Sequence, residues 1–287
     1  MDLCDRNTVD ALLARHGFRF SRSKGQNFLT AAWVPREIAE AAGLDERCGV
    51  LEIGPGIGTL TAALCPRAGR VCALELDESL RPVLAETMSG FSNLTLRFGD
   101  VLRTDLPALA REEFGGLRPL VCANLPYNVT TPAIAALLGA RCFEGLTLMV
   151  QREFAQRIRA EAGTALYSAF TVLCRYYAET EILFDVGAEC FVPRPKVTSC
   201  VISMTPRKEP PCGISDEALF FRVVRAAFAQ RRKTLLNALS SAFGSLSRDE
   251  LALALERCGL APAVRGETLD LAGFAALTEA LAPLARD

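Results

Sequence analysis

The segment Gly49-Val50-Leu51-Glu52-Ile53-Gly54-Pro55-Gly56-Ile57-Gly58 decides the fold. Its first five residues form an apolar run that predicts a short buried strand. The three glycines that follow leave room for a ligand to approach the backbone, and a helix is predicted from Thr59. The order G-x-G-x-G differs from the dinucleotide pattern G-x-G-x-x-G, so the loop alone does not specify pyrophosphate binding.

Strand and helix patterns alternate after this segment. Further strands are predicted at residues 71–75, 94–98, 119–123 and 146–150, with helical spacing between them. This alternation predicts a parallel, doubly wound, Rossmann-like α/β sheet. Two later runs, 181–186 and 198–204, are consistent with an antiparallel hairpin at the edge of that sheet.

The pattern changes at a charged, proline-containing connector, residues 206–211. Beyond it the strand signals stop and only helical spacing continues. We therefore expect one domain over residues 1–206 and a small α-helical domain over residues 207–287.

Composition excludes several classes of protein. Half of the 287 residues are hydrophobic, yet no apolar run approaches the length of a membrane span. Asp2, Asp5 and Asp10 interrupt the first residues, which argues against a signal peptide, so a cytoplasmic protein without membrane contact is expected. The formal net charge is -1, and a polyanionic partner would therefore have to be met by local basic clusters.

Cysteine and histidine usage argues against a metal centre. The eleven cysteines are scattered, with the nearest pair seven residues apart, so no C-x-x-C motif exists. They are expected to be reduced thiols, mostly in the core. His16 is the only histidine, which removes histidine-based triads from consideration.

Polar residues follow several of the predicted strands. Glu75 ends the second strand, about 20 residues after the glycine loop, where a carboxylate can accept both hydroxyls of an adenosine ribose. Asp100 follows the third strand and could accept from an adenine amino group. For either acid alone, a helix N-cap or a solvated turn is the simpler explanation. Together with the glycine loop and Asn124, they indicate an adenosine held without phosphate contacts, as in S-adenosylmethionine.

Asn124-Leu125-Pro126-Tyr127 follows the fourth predicted strand and suits an exocyclic amine. The Asn124 side-chain carbonyl and the Leu125 backbone carbonyl can each accept one N–H, and Tyr127 offers a face on which a base can stack. Pro126 restricts the backbone of Leu125 to extended conformations, and it has no backbone N–H that could compete for these acceptors. A strand end followed by an ordinary turn is the alternative.

These residues resemble a known family. The chain is similar to the ribosomal RNA adenine N6,N6-dimethyltransferases, and the resemblance runs in order from about Phe18 to past Leu239. The segments that carry it are Gln26–Leu29, Glu52–Gly58, Glu75–Asp77, Gly99–Asp100, Asn124–Asn128, Phe191–Val197 and Phe228–Thr234.

The resemblance implies the activity of an S-adenosylmethionine-dependent rRNA (adenine-N6,N6)-dimethyltransferase. It also implies that residues 1–206 form the catalytic domain and residues 207–287 an RNA-binding domain. The expected substrate is a pair of adjacent adenosines in the 3'-terminal hairpin of 16S rRNA, within the 30S subunit or its precursor. Tyr127 and Phe191 are expected to sandwich the target adenine, although Phe191 could instead belong to the core. The residues expected to bind the cofactor are Gln26, Asn27, Leu29, Gly54, Gly56, Glu75, Leu76, Asp100, Val101 and Asn124.

Basic residues near the matching segments are candidates for contacts with RNA phosphates. For each cluster alone, a solvated charged face is the simpler explanation. The candidates are Arg22, Lys24, Arg152, Arg194, Lys196, Arg231, Arg232 and Lys233. A monomer is expected.

Two alternatives stay open within this reading. One is a large-subunit rRNA adenine N6-methyltransferase of the antibiotic-resistance type. The other is a nucleic-acid-binding factor that has lost catalysis on the same scaffold. The length and the segments 191–197 and 230–234 favour the small-subunit enzyme, and the intact Asn124–Tyr127 segment argues against lost chemistry. The spacing of the glycines argues against a third alternative, a nicotinamide dehydrogenase.

Overall fold

The structure, a computed structural model, describes residues 1–18 and 27–285. Contacts between Cα atoms divide the chain into two compact units. The first, here called the catalytic unit, comprises Met1–Ala155 and Thr180–Pro206, and the second, the helical unit, comprises Gln156–Glu179 and Arg207–Asp287.

The secondary structure of the described residues alternates as expected through the first half of the chain. The strands are β1 Phe28–Leu29, β2 Cys48–Ile53, β3 Arg70–Glu75, β4 Leu94–Phe98, β5 Arg118–Asn124, β6 Gly145–Gln151, β7 Ala178–Val186, β8 Phe191–Val192 and β9 Ser199–Pro206. The helices are α1 Arg6–Arg15, α2 Trp33–Ala41, α3 Thr61–Leu64, α4 Arg81–Thr87, α5 Leu106–Phe114, α6 Thr130–Gly139, α7 Arg152–Arg159, α8 Ala169–Tyr177, α9 Glu217–Ala229, α10 Leu235–Ala242, α11 Arg248–Arg257 and α12 Leu271–Leu281.

The catalytic unit is built on a seven-stranded sheet in the order β4-β3-β2-β5-β6-β9-β7. The first five strands in that order are parallel, and β9 pairs antiparallel with β6. The sequence-based prediction of a doubly wound α/β sheet is therefore confirmed. The two late runs of the sequence lie side by side as β9 and β7, with β7 at the edge.

The centre of this sheet is covered on both faces. All six residues of β2 are buried, which is what an apolar run without alternation predicts for a central parallel strand. One face packs against α2, where Val34 and Ile38 join Val50 and Val71 in a core cluster. The chain reverses direction by way of helices on these faces, so β2, β3, β4 and β5 all end at the same edge of the sheet.

The helical unit has its own core. Phe220, Phe243 and Phe274 are at most 1% exposed and pack with residues of α8 to α12. Residues 156–179 belong to this unit, whereas the sequence placed them in the domain over residues 1–206. The reason is packing: Tyr167 and Tyr176 lie in the helical core, and the Tyr167 hydroxyl donates to the Leu269 carbonyl at 2.9 Å.

No helix within residues 1–18 and 27–285 has both the length and the hydropathy needed to cross a bilayer. The longest described helix, α9, has 13 residues, and a span needs about 20.

A close approach at Gly49 provides a test of the packing in the catalytic unit. A Cβ atom at this position of β2 would overlap the ring of Phe114 on α5. Replacing Gly49 with alanine is therefore expected to lower the free energy of unfolding by about 1–3 kcal/mol through overpacking. Urea unfolding followed by the fluorescence of Trp33, the single tryptophan, measures this in the catalytic unit.

Gly90→Ala is the matched control, because a Cβ there meets no atom within 4 Å. Its effect is expected to stay within about 0.5 kcal/mol. Equal midpoints for the two variants would contradict the packing of Phe114 against β2.

Candidate active site

The glycine loop connects β2 to α3 and depends on glycine at three positions. Gly54, Gly56 and Gly58 have φ angles of 67°, 62° and 93°, a region that strains other L-residues. The Gly54 N–H donates to the Leu74 carbonyl at 2.9 Å, which ties the start of the loop to β3. Helix α3 begins at Thr61 rather than at the predicted Thr59, because the tight turn occupies the intervening residues.

A cavity lies where β2, β3, β4 and β5 end. Its described lining includes the glycine loop, the residues that follow each of those strands, and residues 27–29. Among the predicted cofactor-binding residues it contains Asn27, Leu29, Gly54, Gly56, Glu75, Leu76, Asp100, Val101 and Asn124. Gln26 lies outside the described residues. The structure thus brings together residues that lie up to 97 positions apart in the sequence.

Glu75 is buried at the end of β3 and is held by backbone amides. One carboxylate oxygen accepts from the Gly56 N–H at 3.1 Å and the other from the Asp77 N–H at 2.8 Å. Burial raises the pKa of Glu75, and these hydrogen bonds oppose that rise. A carboxylate has about four acceptor positions, so this group can still accept hydroxyls from a ligand in the cavity.

Asp100 has two roles in the structure. It caps the 3-10 helix Val101–Arg103 by accepting from the Leu102 N–H at 2.9 Å, and it also lines the cavity. The N-cap alternative and the ligand-binding prediction are therefore compatible. Nearby, Leu76 is 60% exposed and offers an apolar surface at the cavity wall.

The side-chain amide of Asn124 has a defined orientation. Its Nδ2 donates to the backbone carbonyl of Asn27 at 3.4 Å. Its Oδ1 accepts no hydrogen bond from any residue in the described part of the chain. Because the donor is engaged, the oxygen is left as an acceptor beside the cavity that Asn124 lines.

The three residues after Asn124 are held from several sides. The Leu125 N–H donates to the Met149 carbonyl at 3.2 Å, while its own carbonyl accepts nothing from residues 1–18 or 27–285. The Pro126 carbonyl accepts from the Thr130 hydroxyl at 3.0 Å. The Tyr127 hydroxyl lies 2.8 Å from the Ser199 Oγ. The segment therefore presents two free carbonyl oxygens and a fixed aromatic ring.

Phe191 does not join Tyr127 at the cavity. It is 2% exposed, pairs with Leu29 between β8 and β1, and packs in a core cluster with Cys190 and Val201. It is not among the described residues that line the cavity. In this structure Phe191 therefore takes the core position that the sequence left open as an alternative, because its pairing with β1 buries the ring.

The predicted RNA-contacting residues divide into exposed side chains and side chains that are engaged in polar contacts. Arg194, Lys196, Arg232 and Lys233 are exposed. Arg152 is paired with Asp185, and Arg231 donates to the carbonyls of Thr164 and Ala165 at 3.3 and 2.9 Å. Arg22 and Lys24 lie outside the described residues.

Known proteins are similar to this chain over nearly its whole length. The family model of ribosomal RNA adenine dimethylases matches residues 17–281. A Geobacillus thermodenitrificans protein named ribosomal RNA small subunit methyltransferase A is 45% identical over 99% of both chains, and a Streptococcus pneumoniae protein of the same name is 41% identical over 98% of both chains.

The chain belongs to the ribosomal RNA adenine dimethylase family. A solved dimethyladenosine transferase from Plasmodium falciparum shares its fold, with a TM-score of 0.73 and 24% identity over 89% of this chain and 97% of that one. The solved 23S rRNA methyltransferase ErmE is 26% identical with a TM-score of 0.66, over 89% of this chain and 99% of that one.

The methyl donor of this dimethylase is S-adenosylmethionine, and the cavity residues fit it. The glycine loop leaves the backbone open at Gly54 and Gly56, and Glu75 can accept the ribose hydroxyls. Leu76 offers apolar surface against which an adenine ring can pack. The cofactor carries a sulfonium and an ammonium group, and acidic side chains in the cavity favour such positive charge.

Glu52 is a cavity residue to which the sequence analysis assigned no role. It is 1% exposed within β2, and burial raises its pKa to about 8, opposed by a hydrogen bond from the Thr61 hydroxyl at 2.6 Å. The nearby Glu75 carboxylate raises the pKa further. The available signal was a glutamate inside an otherwise apolar strand, which is costly unless it serves a site.

The ribose assignment predicts a loss of cofactor affinity in Glu75→Gln. The amide cannot accept from both backbone N–H groups, and it removes the charge that would strengthen the bonds from ribose hydroxyls. Calorimetry is expected to show an S-adenosylmethionine Kd raised about 10- to 100-fold.

Glu78→Gln is the matched control, because Glu78 is exposed, pairs with Arg81 and does not line the cavity. Its Kd is expected to equal that of the wild type. If Glu75→Gln binds S-adenosylmethionine as tightly as Glu78→Gln does, the assignment of Glu75 to the ribose hydroxyls is wrong.

Proposed function

We propose that this dimethylase transfers methyl groups from S-adenosylmethionine to N6 of two adjacent adenosines in the 3'-terminal hairpin of 16S rRNA, methylating each twice. The observation that carries the proposal is the Asn124 amide, whose donor is engaged by Asn27 and whose oxygen is free at the cavity. The small-subunit methyltransferase relatives, which match over nearly the whole chain, support the choice of substrate.

The chemistry requires activation of a poor nucleophile. The lone pair of adenine N6 is delocalised into the ring, and two N–H acceptors favour a pyramidal nitrogen with that lone pair available. In the first transfer Asn124 Oδ1 and the Leu125 carbonyl are the two acceptors, and they also stabilise the positive charge that develops on N6 until its proton passes to solvent. The monomethylated nitrogen keeps one N–H, so one of these oxygens serves as acceptor in the second transfer. When bound, S-adenosylmethionine supplies the electrophilic methyl group. The ring of Tyr127 stacks on the base and holds it in place.

A base in a helix must leave its stack to reach such a site. Sequence-selective RNA recognition usually targets loop bases, which can be splayed out at low cost. Arg194 and Lys196 of the catalytic unit, and Arg232 and Lys233 of the helical unit, are exposed cations that can contact phosphates. Arg231 has a different role in this proposal, since its guanidinium is bonded to the carbonyls of Thr164 and Ala165.

The partner we propose is small-subunit rRNA within the 30S subunit or its precursor, and the protein is proposed to act as a cytoplasmic monomer. The mechanism uses no metal, because carbonyl oxygens stabilise the developing charge. Identity of 45% over 99% of the chain favours the small-subunit enzyme over the large-subunit type, for which the ErmE likeness is 26%. The complete Asn124–Tyr127 segment favours an enzyme over a factor without catalysis.

The acceptor role of Asn124 is tested by Asn124→Ala. Incubation with labelled S-adenosylmethionine and undermethylated small subunits, followed by mapping of the modified bases, is expected to place the label of the wild type on the two adenosines. The variant is expected to be slower by about 100-fold or more, the usual effect of losing one group that stabilises developing charge.

Calorimetry on the same variant is the control, since its Kd for S-adenosylmethionine is expected to rise only modestly. Wild-type turnover in Asn124→Ala would refute the acceptor role. Label on large-subunit rRNA instead would replace the proposed substrate by that of the alternative.

The phosphate contacts are tested by reversing Arg232 and Lys233 to glutamate while Arg231 is kept. RNA binding is expected to weaken, and the slope of log K against log salt concentration is expected to fall in magnitude by about 2, nearly one per lost contact. Lys208→Glu with Arg257→Glu is the control of equal charge change, at exposed positions in the same unit. Equal slopes in the two double variants would count against these contacts.

A further inference from the structure

Tyr127 lies in an irregular segment, and its ring needs an anchor. The residues around it, 125–129, form no regular helix or strand. A stacking platform that rotated freely would lose much of the advantage of placement. Its hydroxyl forms a hydrogen bond with Ser199 Oγ, at 2.8 Å.

Ser199 is a rigid partner for that hydroxyl. It is fully buried, at 0% exposure, and opens strand β9. Its backbone is in register with Gln151 on β6, so the seven-stranded sheet determines its position. The contact therefore joins a loop at the cavity to the frame of the sheet, across 72 positions of sequence.

The ionisation of Tyr127 suits this contact. Burial raises the pKa of the phenol, and the Ser199 hydrogen bond opposes part of that rise. At neutral pH the phenol thus keeps its proton, and either hydroxyl can donate to the other. Removing the serine oxygen would leave a half-buried phenol without this partner, so the ring would be free to seek another position.

We propose that Ser199 is a positioning residue that sets the plane of the Tyr127 ring against the target adenine. It does not line the cavity and so acts through Tyr127 rather than on reacting atoms. The inference rests on the proposed function, because Tyr127 is taken to stack on the base that is methylated.

The test is a double-mutant cycle of Ser199→Ala and Tyr127→Phe. Each single variant removes the same hydrogen bond from one side, and each is expected to lower kcat on undermethylated small subunits about tenfold, the factor for one such bond. KM for the subunits and the S-adenosylmethionine Kd are expected to change little. The double variant is expected to be no slower than either single one, because the shared bond can be lost only once.

Thr147→Val is the matched control for loss of a buried hydroxyl. Thr147 lies on β6, is 5% exposed and does not line the cavity. The kcat of Thr147→Val, measured per folded molecule, is therefore expected to equal that of the wild type. Wild-type kcat in Ser199→Ala, or losses that multiply in the double variant, would overturn the proposal. Tyr127→Phe keeps the test valid if Ser199→Ala folds poorly, since it leaves β9 unchanged.

A spectroscopic readout separates this inference from the proposed function. In protein labelled with ¹³C at the tyrosine Cζ, the Tyr127 signal is the one that is absent from Tyr127→Phe. Ser199→Ala is expected to shift and broaden that signal, and an unchanged signal would overturn the positioning role. If the wild type methylates no adenosine in small subunits, the proposed function fails while this readout still decides the role of Ser199.

Discussion

The parallel pairing of β2 between β3 and β5 is the constraint on which the site depends. Its register places Ile53 beside Leu74 and Glu52 beside Cys122, so the residues that follow each strand meet above one edge of the sheet. A shift of one residue would exchange the faces of every side chain in the strand. Because β2 is fully buried, such a shift would expose apolar side chains and is costly. The packing of the core therefore determines where the residues of the site lie.

Backbone groups then set the orientation of the functional side chains. Gly56 and Asp77 hold the carboxylate of Glu75 through their amides, and the Asn27 carbonyl holds the amide of Asn124. Two of these contacts join segments that lie 19 and 97 positions apart, so the fold itself orients the polar groups. Such preorganisation lowers the cost of binding and of stabilising charge during methyl transfer.

Local patterns predicted the strands, and they predicted the glycine loop, Glu75, Asp100 and Asn124 because these follow strand ends. The other predicted cavity residues, Asn27, Leu29, Leu76 and Val101, came from the family resemblance. An apolar run of five residues specifies a buried strand, and glycines at 54 and 56 specify a turn that few other residues can form. Phe191 and Ser199 were beyond such reasoning, since the first is placed by pairing with Leu29 and the second by the register with Gln151. Residues 156–179 show the same limit: their helical spacing was visible, but not the core that their apolar face joins.

The buried carboxyl group of Glu52 shows that the site lowers the stability of the fold. In the native protein Glu52 keeps its proton up to about pH 8, whereas in an unfolded chain a glutamate releases it near its ordinary pKa of 4.5. Between these pH values the native state binds the extra proton, so Glu52 makes folding stability fall as pH rises. A core strand selected for stability alone would carry an apolar side chain there. Since Glu52 lines the cavity next to Glu75, its burial makes the sheet less stable near neutral pH than an all-apolar sheet would be.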